Sequence, residues 1–480
     1  MSERDGKGWA DLLGEGRLPR FALVCLGVWL TAADALVTAT IMPSVGADLG
    51  GYGYFGWVVA GFLLGCIVAG SSAGWLSERL GLRPAAMMAG LVYALGCALS
   101  AAAPDIAWFL AGRVLQGAGA GWVLGLCYVA IGVLFPERHL ARVFAAATAV
   151  WGPATLLGPL VGGLFATAGF WRGAFWMFAG QALVFSLAAL LMLPRLERKP
   201  AAGGLPWRQL SLVAAGVACI AVADLAGGLG RSVALILAGF ALLLAVVRVD
   251  ATAAVRLLPR GVSDLRTICS AGYLTIFTLS AAGMGLGVYG AAILQRLHGL
   301  SPLTAGYVIC ADAAGWTVAA LLVAGAGEAW DRRFIRIGSG VVVLGLVLLT
   351  LAMRDGPLAL IVVAALTLGT GFGLCWSFVS RRILGALADD ERAIGSSAVA
   401  AVQQTGGAAG AAITGAVANL LGFSAGLTQE SAQAVAVWVF VAGVPLALIG
   451  ALSAWRLTGS AVAALEAEAP AGQDRPAPRS

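Results

Sequence analysis

A polytopic all-α membrane protein is the fold class this sequence predicts. Of its 480 residues 60% are hydrophobic and only 11% charged, with a mean hydropathy of +0.91. A water-soluble domain of this length needs more polar surface than that. Apolar runs long enough to cross a hydrocarbon layer of ~30 Å also recur from Phe21 to Trp455. The 67 glycines suit close helix packing in lipid. Soluble enzyme classes are excluded first. The eight cysteines sit inside apolar runs without C-x-x-C spacing, so they read as small packing residues, with no disulfide framework, metal site or cofactor expected. The net charge of +6 is strung out singly along the chain and forms no nucleic-acid-binding face.

Fourteen spans follow in order: 21–46, 55–76, 84–102, 106–134, 140–166, 172–194, 210–227, 232–249, 267–295, 302–326, 335–353, 357–380, 394–421 and 432–456. The first is too long for a signal core. With both termini cytoplasmic, the outer loops hold only Arg172, Arg231, Arg296 and Arg354 among the basic residues, and Arg113 lies within a span, so the positive-inside rule is satisfied. Residues 210–249 form two short runs broken at Gly227-Gly228-Leu229-Gly230-Arg231. They are flanked by Arg195, Arg198, Lys199 and Arg208 before, and by Arg248, Arg256, Arg260 and Arg266 after. That pattern gives two extra spans, the alternative being an amphipathic surface hairpin. The division is an N-terminal tail at 1–20, a six-helix half at 21–194, linkers with two central helices at 195–266, a second six-helix half at 267–456 and a disordered tail at 457–480.

Five segments carry mechanism. Span 1 places Asp34 about 20 Å deep, at ~1.5 Å per residue, in Ala33-Asp34-Ala35-Leu36-Val37-Thr38. Desolvation there favours the neutral acid and a nearby cation favours the anion, a competition that suits proton exchange. The alternative is a structural carboxylate bonded to Thr38 or Arg113. Span 4 carries Arg113-Val114-Leu115-Gln116-Gly117, with Arg113 and Gln116 on one helix face. A charge inside an apolar run is functional by default, with a snorkelling arginine as the rival reading. Span 5 has Gly158-Pro159-Leu160-Val161-Gly162-Gly163, a kinked helix expected to pack closely on the second half. Span 10 adds Asp312, about 16 Å from the outer face, as a second protonation or cation site. The turn Gly74-Trp75-Leu76-Ser77-Glu78-Arg79-Leu80-Gly81-Leu82-Arg83 combines glycines with opposite charges, and Gly327-Glu328-Ala329-Trp330-Asp331-Arg332-Arg333 echoes it. Both read as gate latches built from ion pairs, or else as membrane-edge turns.

These segments resemble the major facilitator superfamily. The first turn is similar to its G-x-L-a-D-R-x-G-r-r loop, with Glu78 for the usual Asp. The span 4 segment resembles its l-x-x-x-R-x-x-q-G-x-g motif, whose arginine is associated with proton transfer. The span 5 ending is similar to its antiporter motif, and span 1 to the Asp-containing helix of the fourteen-span drug:proton antiporters. The resemblance implies a major facilitator fold of two six-helix halves around a central cavity, plus a central helix pair. It further implies a proton-coupled antiporter, and no enzyme. The expected activity is export of drugs or small amphipathic and cationic compounds across a bacterial inner membrane, by a monomer whose partners are substrate, protons and lipid. Proton coupling falls to Asp34 and Arg113, and also to Asp312, which departs from the apolar residues the family commonly has there. Substrate contact falls to Gln116, the deep Trp122, Trp316 and Trp376, and Gln403 and Gln404 of span 13. A dedicated metabolite exporter, a proton-coupled importer and a non-transporting sensor are the rival functions. A membrane hydrolase is disfavoured because His139 and His298 lie near opposite faces. Asp224 reads as an interfacial residue.

Overall fold

A computed structural model describes residues 17–195, 204–223, 228–264, 266–388 and 391–459, apart from the side chains of 137, 138, 141 and 393. Asp224 and most of both tails lie outside these residues. The described chain is helical throughout. The first half contains α1 (Leu18–Leu49), α2 (Phe55–Gly70), α3 (Ala73–Leu80), α4 (Leu82–Ala101), α5 (Ile106–Leu134), α6 (Glu137–Ala149), α7 (Trp151–Thr167) and α8 (Arg172–Met192). A central hairpin, α9 (Trp207–Val222) and α10 (Leu229–Ala251), precedes the second half. That half comprises α11 (Ile268–Ala282), α12 (Met284–Leu297), α13 (Pro302–Val323), α14 (Asp331–Ala352), α15 (Leu358–Gly385), α16 (Arg392–Leu420) and α17 (Gln429–Leu457).

Among the described residues twelve helical segments are long and apolar enough to cross a membrane. Two expected spans fall outside that set. The seventh is the 16-residue α9, and the thirteenth is α16, whose run of Ala, Gly, Ser, Thr and Gln dilutes its hydropathy. Three other expected spans are interrupted. Span 2 breaks after Gly70 and resumes as the short α3, span 5 divides at Val150, and span 9 divides at Gly283. Gly81, at φ +88°, turns α3 into α4, a conformation that glycine adopts without steric penalty.

The two halves repeat one set of pairings. α2 packs on α5, α4 on α5 and on α8, and α1 on α7, while α13 packs on α15, α14 on α15 and on α17, and α11 on α16. Backbones meet closely at glycines. A methyl on Gly117 would strike the Phe62 carbonyl oxygen across α2 and α5, and one on Gly369 would strike that of Asp312 across α13 and α15. The halves join where α2 meets α16 and α7 meets α13, and α9 lies against both α16 and α2. Leucines such as Leu156, Leu191, Leu321, Leu322 and Leu351 stand exposed on the outside. In a bilayer those are the lipid-facing positions.

The two ends of the bundle differ. At the end opposite the termini, Tyr52 and Phe55 of the first half interlock with Tyr289 and Phe423 of the second, at ring-centroid distances of 5.3 to 6.1 Å. Asn419 Nδ2 donates to the Gly53 carbonyl across the same seam at 2.7 Å. That end is shut. On the side of the termini a cleft of ≈ 640 Å³ opens beside α15 and α16.

Candidate transport site

Asp34 is fully buried, and so is the cluster around it. Arg113 is 2% exposed and Gln116 0%. Arg113 Nη1 donates to both Asp34 carboxylate oxygens at 3.1 Å and to Gln116 Oε1 at 2.7 Å. Gln116 Nε2 donates to Asp34 Oδ1 at 2.9 Å, and the Thr38 hydroxyl reaches the same oxygen at 3.3 Å. The guanidinium also lies 4.4 Å from the centre of the Phe62 ring. The three-residue spacing on α5 puts Arg113 and Gln116 on one face, and small residues let α5 approach closely enough for that face to meet α1. An ionised carboxylate this deep needs a partner, and Arg113 supplies it.

Gln116, expected to contact substrate, is instead engaged by Asp34 and Arg113. Trp122 donates from Nε1 to Ser72 Oγ at 2.8 Å, which ties it to the α2–α3 turn. Trp316 and Trp376 do come together. Trp316 stacks on Phe372 at 5.1 Å with a 12° interplanar angle, and its ring lies 5.4 Å from that of Trp376, which lines the cleft. Asp312 sits one helical turn from Trp316. Its Oδ1 is buried and has no hydrogen-bond partner among the described residues. Gln403 and Gln404 are half-buried and make no hydrogen bond among the described residues.

The glycines of α7 divide their contacts. A methyl on Gly163 would come within 2.6 Å of Leu303 Cα on α13, so this residue does set the approach of the two halves. Gly158 and Gly162 face α1 instead, at Leu36 and Thr40. Thr40 also abuts Gly306 of α13, so α1, α7 and α13 meet at one point, six residues along α1 from Asp34.

The latch residues behave unlike the sequence expectation. Among the described residues Glu78 forms no ion pair and Arg83 Nε has no partner, Arg79 lies over the Trp75 ring at 4.9 Å, and a methyl on Gly74 would meet open space. The echo loop holds the ion pair. The buried Asp331 is bound by Arg381 through Nη2 and, at 3.3 Å, through Nε, while Nη1 donates to the Ala326 carbonyl at 3.2 Å. Arg332 makes no ion pair among the described residues.

A second polar cluster, absent from the sequence reading, lies at the base of the central hairpin. Asp250, 2% exposed, accepts from Gln209 Nε2 and from the backbone N–H groups of Leu257 and Leu258 at 2.7 to 3.1 Å. Just before α16 the buried Glu391 takes the Arg256 guanidinium at 2.8 Å and the Arg260 backbone N–H at 3.1 Å. By sequence alone these arginines read as topogenic charge. Eight unpaired cysteines, six of them buried, fit their packing role, and no group of three or more potential metal ligands occurs among the described residues.

Two repeated helical halves, a buried charge cluster and a cleft on one side define a multi-pass membrane transporter. Residues 24–380 match the family described as the Major Facilitator Superfamily, and the chain belongs to it, a family of transporters and not of enzymes. A probable multidrug-efflux transporter of Mycobacterium tuberculosis is 32% identical over 469 residues, covering 94% of this chain and 96% of its own length. An acurin A biosynthesis cluster transporter of Aspergillus aculeatus is 26% identical, covering 83% of this chain and 74% of its own. Among solved structures, a D-xylose–proton symporter superposes with a TM-score of 0.63 at 17% identity, covering 90% of this chain and 97% of its own. An inward-facing bacterial homologue of the human lysosomal transporter spinster gives 0.65 at 15%, with 92% and 98% covered. At those identities the likeness is one of fold.

Proposed function

We propose that this protein is a proton-coupled antiporter that exports drugs or other small amphipathic compounds across a bacterial inner membrane by alternating access, as a fourteen-span monomer with both termini cytoplasmic. The observation that carries the reading is the sealed Asp34–Arg113–Gln116 cluster. A proton delivered to Asp34 cancels the anion that holds Arg113. The guanidinium keeps the Gln116 oxygen at 2.7 Å and the Phe62 face, so it is not abandoned when the carboxylate is neutralised. Loss of the ionic contact loosens α1 from α5. Because α1 carries Thr40 into the junction with Gly162 and Gly306, that change bears directly on the contact between the halves. The conformation described here, shut at the far aromatic seam and open on the termini side, is the one in which a cytoplasmic substrate would be taken up. The multidrug-efflux description of the mycobacterial relative supports the substrate class. The test is proton release from energised everted vesicles on addition of substrate. Substrate-linked release that disappears in Asp34→Asn supports the proposal, and release that persists in that variant overturns the role of Asp34.

A further inference from the structure

The aromatic wall between Asp312 and the cleft mouth has different chemistry at its two ends. At the inner end, Asp312 keeps some accessible surface while its Oδ1 has no hydrogen-bond donor among the described residues. A buried carboxylate oxygen without a donor is stabilised by any cation or N–H that reaches the group. Trp316, four residues along α13, shares the Asp312 face, and with Phe372 and Trp376 it forms a contiguous cluster of rings of which Trp376 lines the cleft.

At the outer end the described lining residues of the cleft include Ser377, Ser380, Arg381 and Arg392, and none of them is acidic. Arg381 uses three of its N–H groups on Asp331 and the Ala326 carbonyl, which leaves two of the five that a guanidinium carries. The hydroxyls of Ser377 and Ser380 add donors, since neither makes a hydrogen bond within the described protein. The separation follows from the helix. Asp312 packs at the level of Gly369 on α15, and Arg381 lies twelve residues further along, so the two ends are ~18 Å apart along the axis.

We propose that this wall is a bipolar substrate site for zwitterionic aromatic compounds, with the ammonium at Asp312, the rings against Trp316 and Trp376, and the carboxylate at Ser377, Ser380 and Arg381. It rests on the transport reading above and narrows its substrate class. Allowing ~3 Å of contact at each end, the site takes a ligand whose charges stand roughly 12 Å apart. A purely cationic compound leaves the donor-rich mouth unmatched, and a purely anionic one leaves Asp312 unmatched. Neither end involves Asp34 or Arg113, which stay sealed in this conformation.

The experiment uses the full-length protein in lipid nanodiscs and three rigid probes: a biphenyl with an aminomethyl group at one end and a carboxylate at the other, its methyl ester, and its N-acetyl derivative. Binding is read from tryptophan fluorescence. The zwitterion is expected to bind about tenfold more tightly than either singly charged analogue. In Asp312→Asn it falls to the level of the N-acetyl compound, whose own affinity is unchanged and so reports that the variant is folded. The double variant Asp331→Asn/Arg381→Gln, which removes both members of the ion pair, brings the zwitterion down to the level of the ester. Equal binding of all three probes, or a zwitterion preference that survives Asp312→Asn, overturns the proposal. Proton release in vesicles is scored separately. Tight zwitterion binding without release leaves the site standing and removes the antiport reading, whereas release with cations and no zwitterion preference does the reverse.

Discussion

Replacing Asp34 by Asn is the perturbation that separates coupling from architecture. The carboxylate accepts from Arg113 through both oxygens, from Gln116 and from Thr38. The amide keeps one oxygen for Gln116 and Thr38, but it sets an NH2 group against the Arg113 donor and removes the only anion among the described residues within hydrogen-bonding distance of that guanidinium. Breaking a buried pair by removing one partner destabilises by about 3–5 kcal/mol. Here the loss falls toward the lower end, since Arg113 retains Gln116 Oε1 at 2.7 Å and the Phe62 ring. At ~1.4 kcal/mol per decade, about 3 kcal/mol is a shift of order a hundredfold against the conformation that seals the cluster. Two assays are needed. Thermal unfolding in detergent reads the structural loss, and pH-gradient-driven export in vesicles reads coupling, with exchange of labelled substrate at zero gradient as a control for residual turnover. Asp34→Asn should unfold earlier, retain gradient-free exchange and lose coupled export. The double variant Asp34→Asn/Arg113→Gln should recover much of the stability and none of the coupling. Full gradient-driven export by either variant would refute the reasoning.

Other expectations follow from packing and charge. Gly163→Val drives a side chain into Leu303, whose Cα already lies 2.6 Å from a Cβ at that position, so export should drop at least about tenfold while the protein stays inserted, as surface-labelling and transport assays would show. Phe423→Ala removes the ring that touches Tyr52, Phe55 and Tyr289. It should weaken the shut seam by about 3–5 kcal/mol, seen as faster labelling of a cysteine introduced at Val288, which is buried beside Tyr289. Asp331→Asn unpairs Arg381 and should lower both stability and transport more than Glu78→Gln does, because Glu78 makes no ion pair among the described residues.

How much of this was legible in the sequence varies with the kind of information each feature needs. Helix existence follows from apolar length, so α1, α5, α8 and α17 fall within a few residues of their expected limits. The breaks at Val150 and Gly283 do not show in hydropathy, which counts apolar side chains and is blind to a change of backbone direction. Arg113 and Gln116 share a face by spacing alone. Their meeting with Asp34, 79 and 82 positions away, depends on the tertiary approach of α1 and α5, although Arg113 was among the partners that depth and charge suggested. Arg256 reads as a topology-setting charge because its sequence context is a membrane edge, and Arg381 carries no motif of its own. Only the fold brings Asp331 and Glu391 to them. The one signal available was the acid itself, since a carboxylate next to an apolar helix end needs a cation from somewhere.

The central claim is that substrate moves outward in exchange for a proton through Asp34. Its most direct test is a pH-sensitive dye recording of energised everted vesicles containing the wild-type protein or Asp34→Asn, challenged with lipophilic cations, neutral drugs and zwitterions. The account predicts proton release on addition of several compounds with the wild type and none with the variant, at equal amounts of folded protein. Silence of the wild type across the panel, or undiminished release by Asp34→Asn, would contradict it.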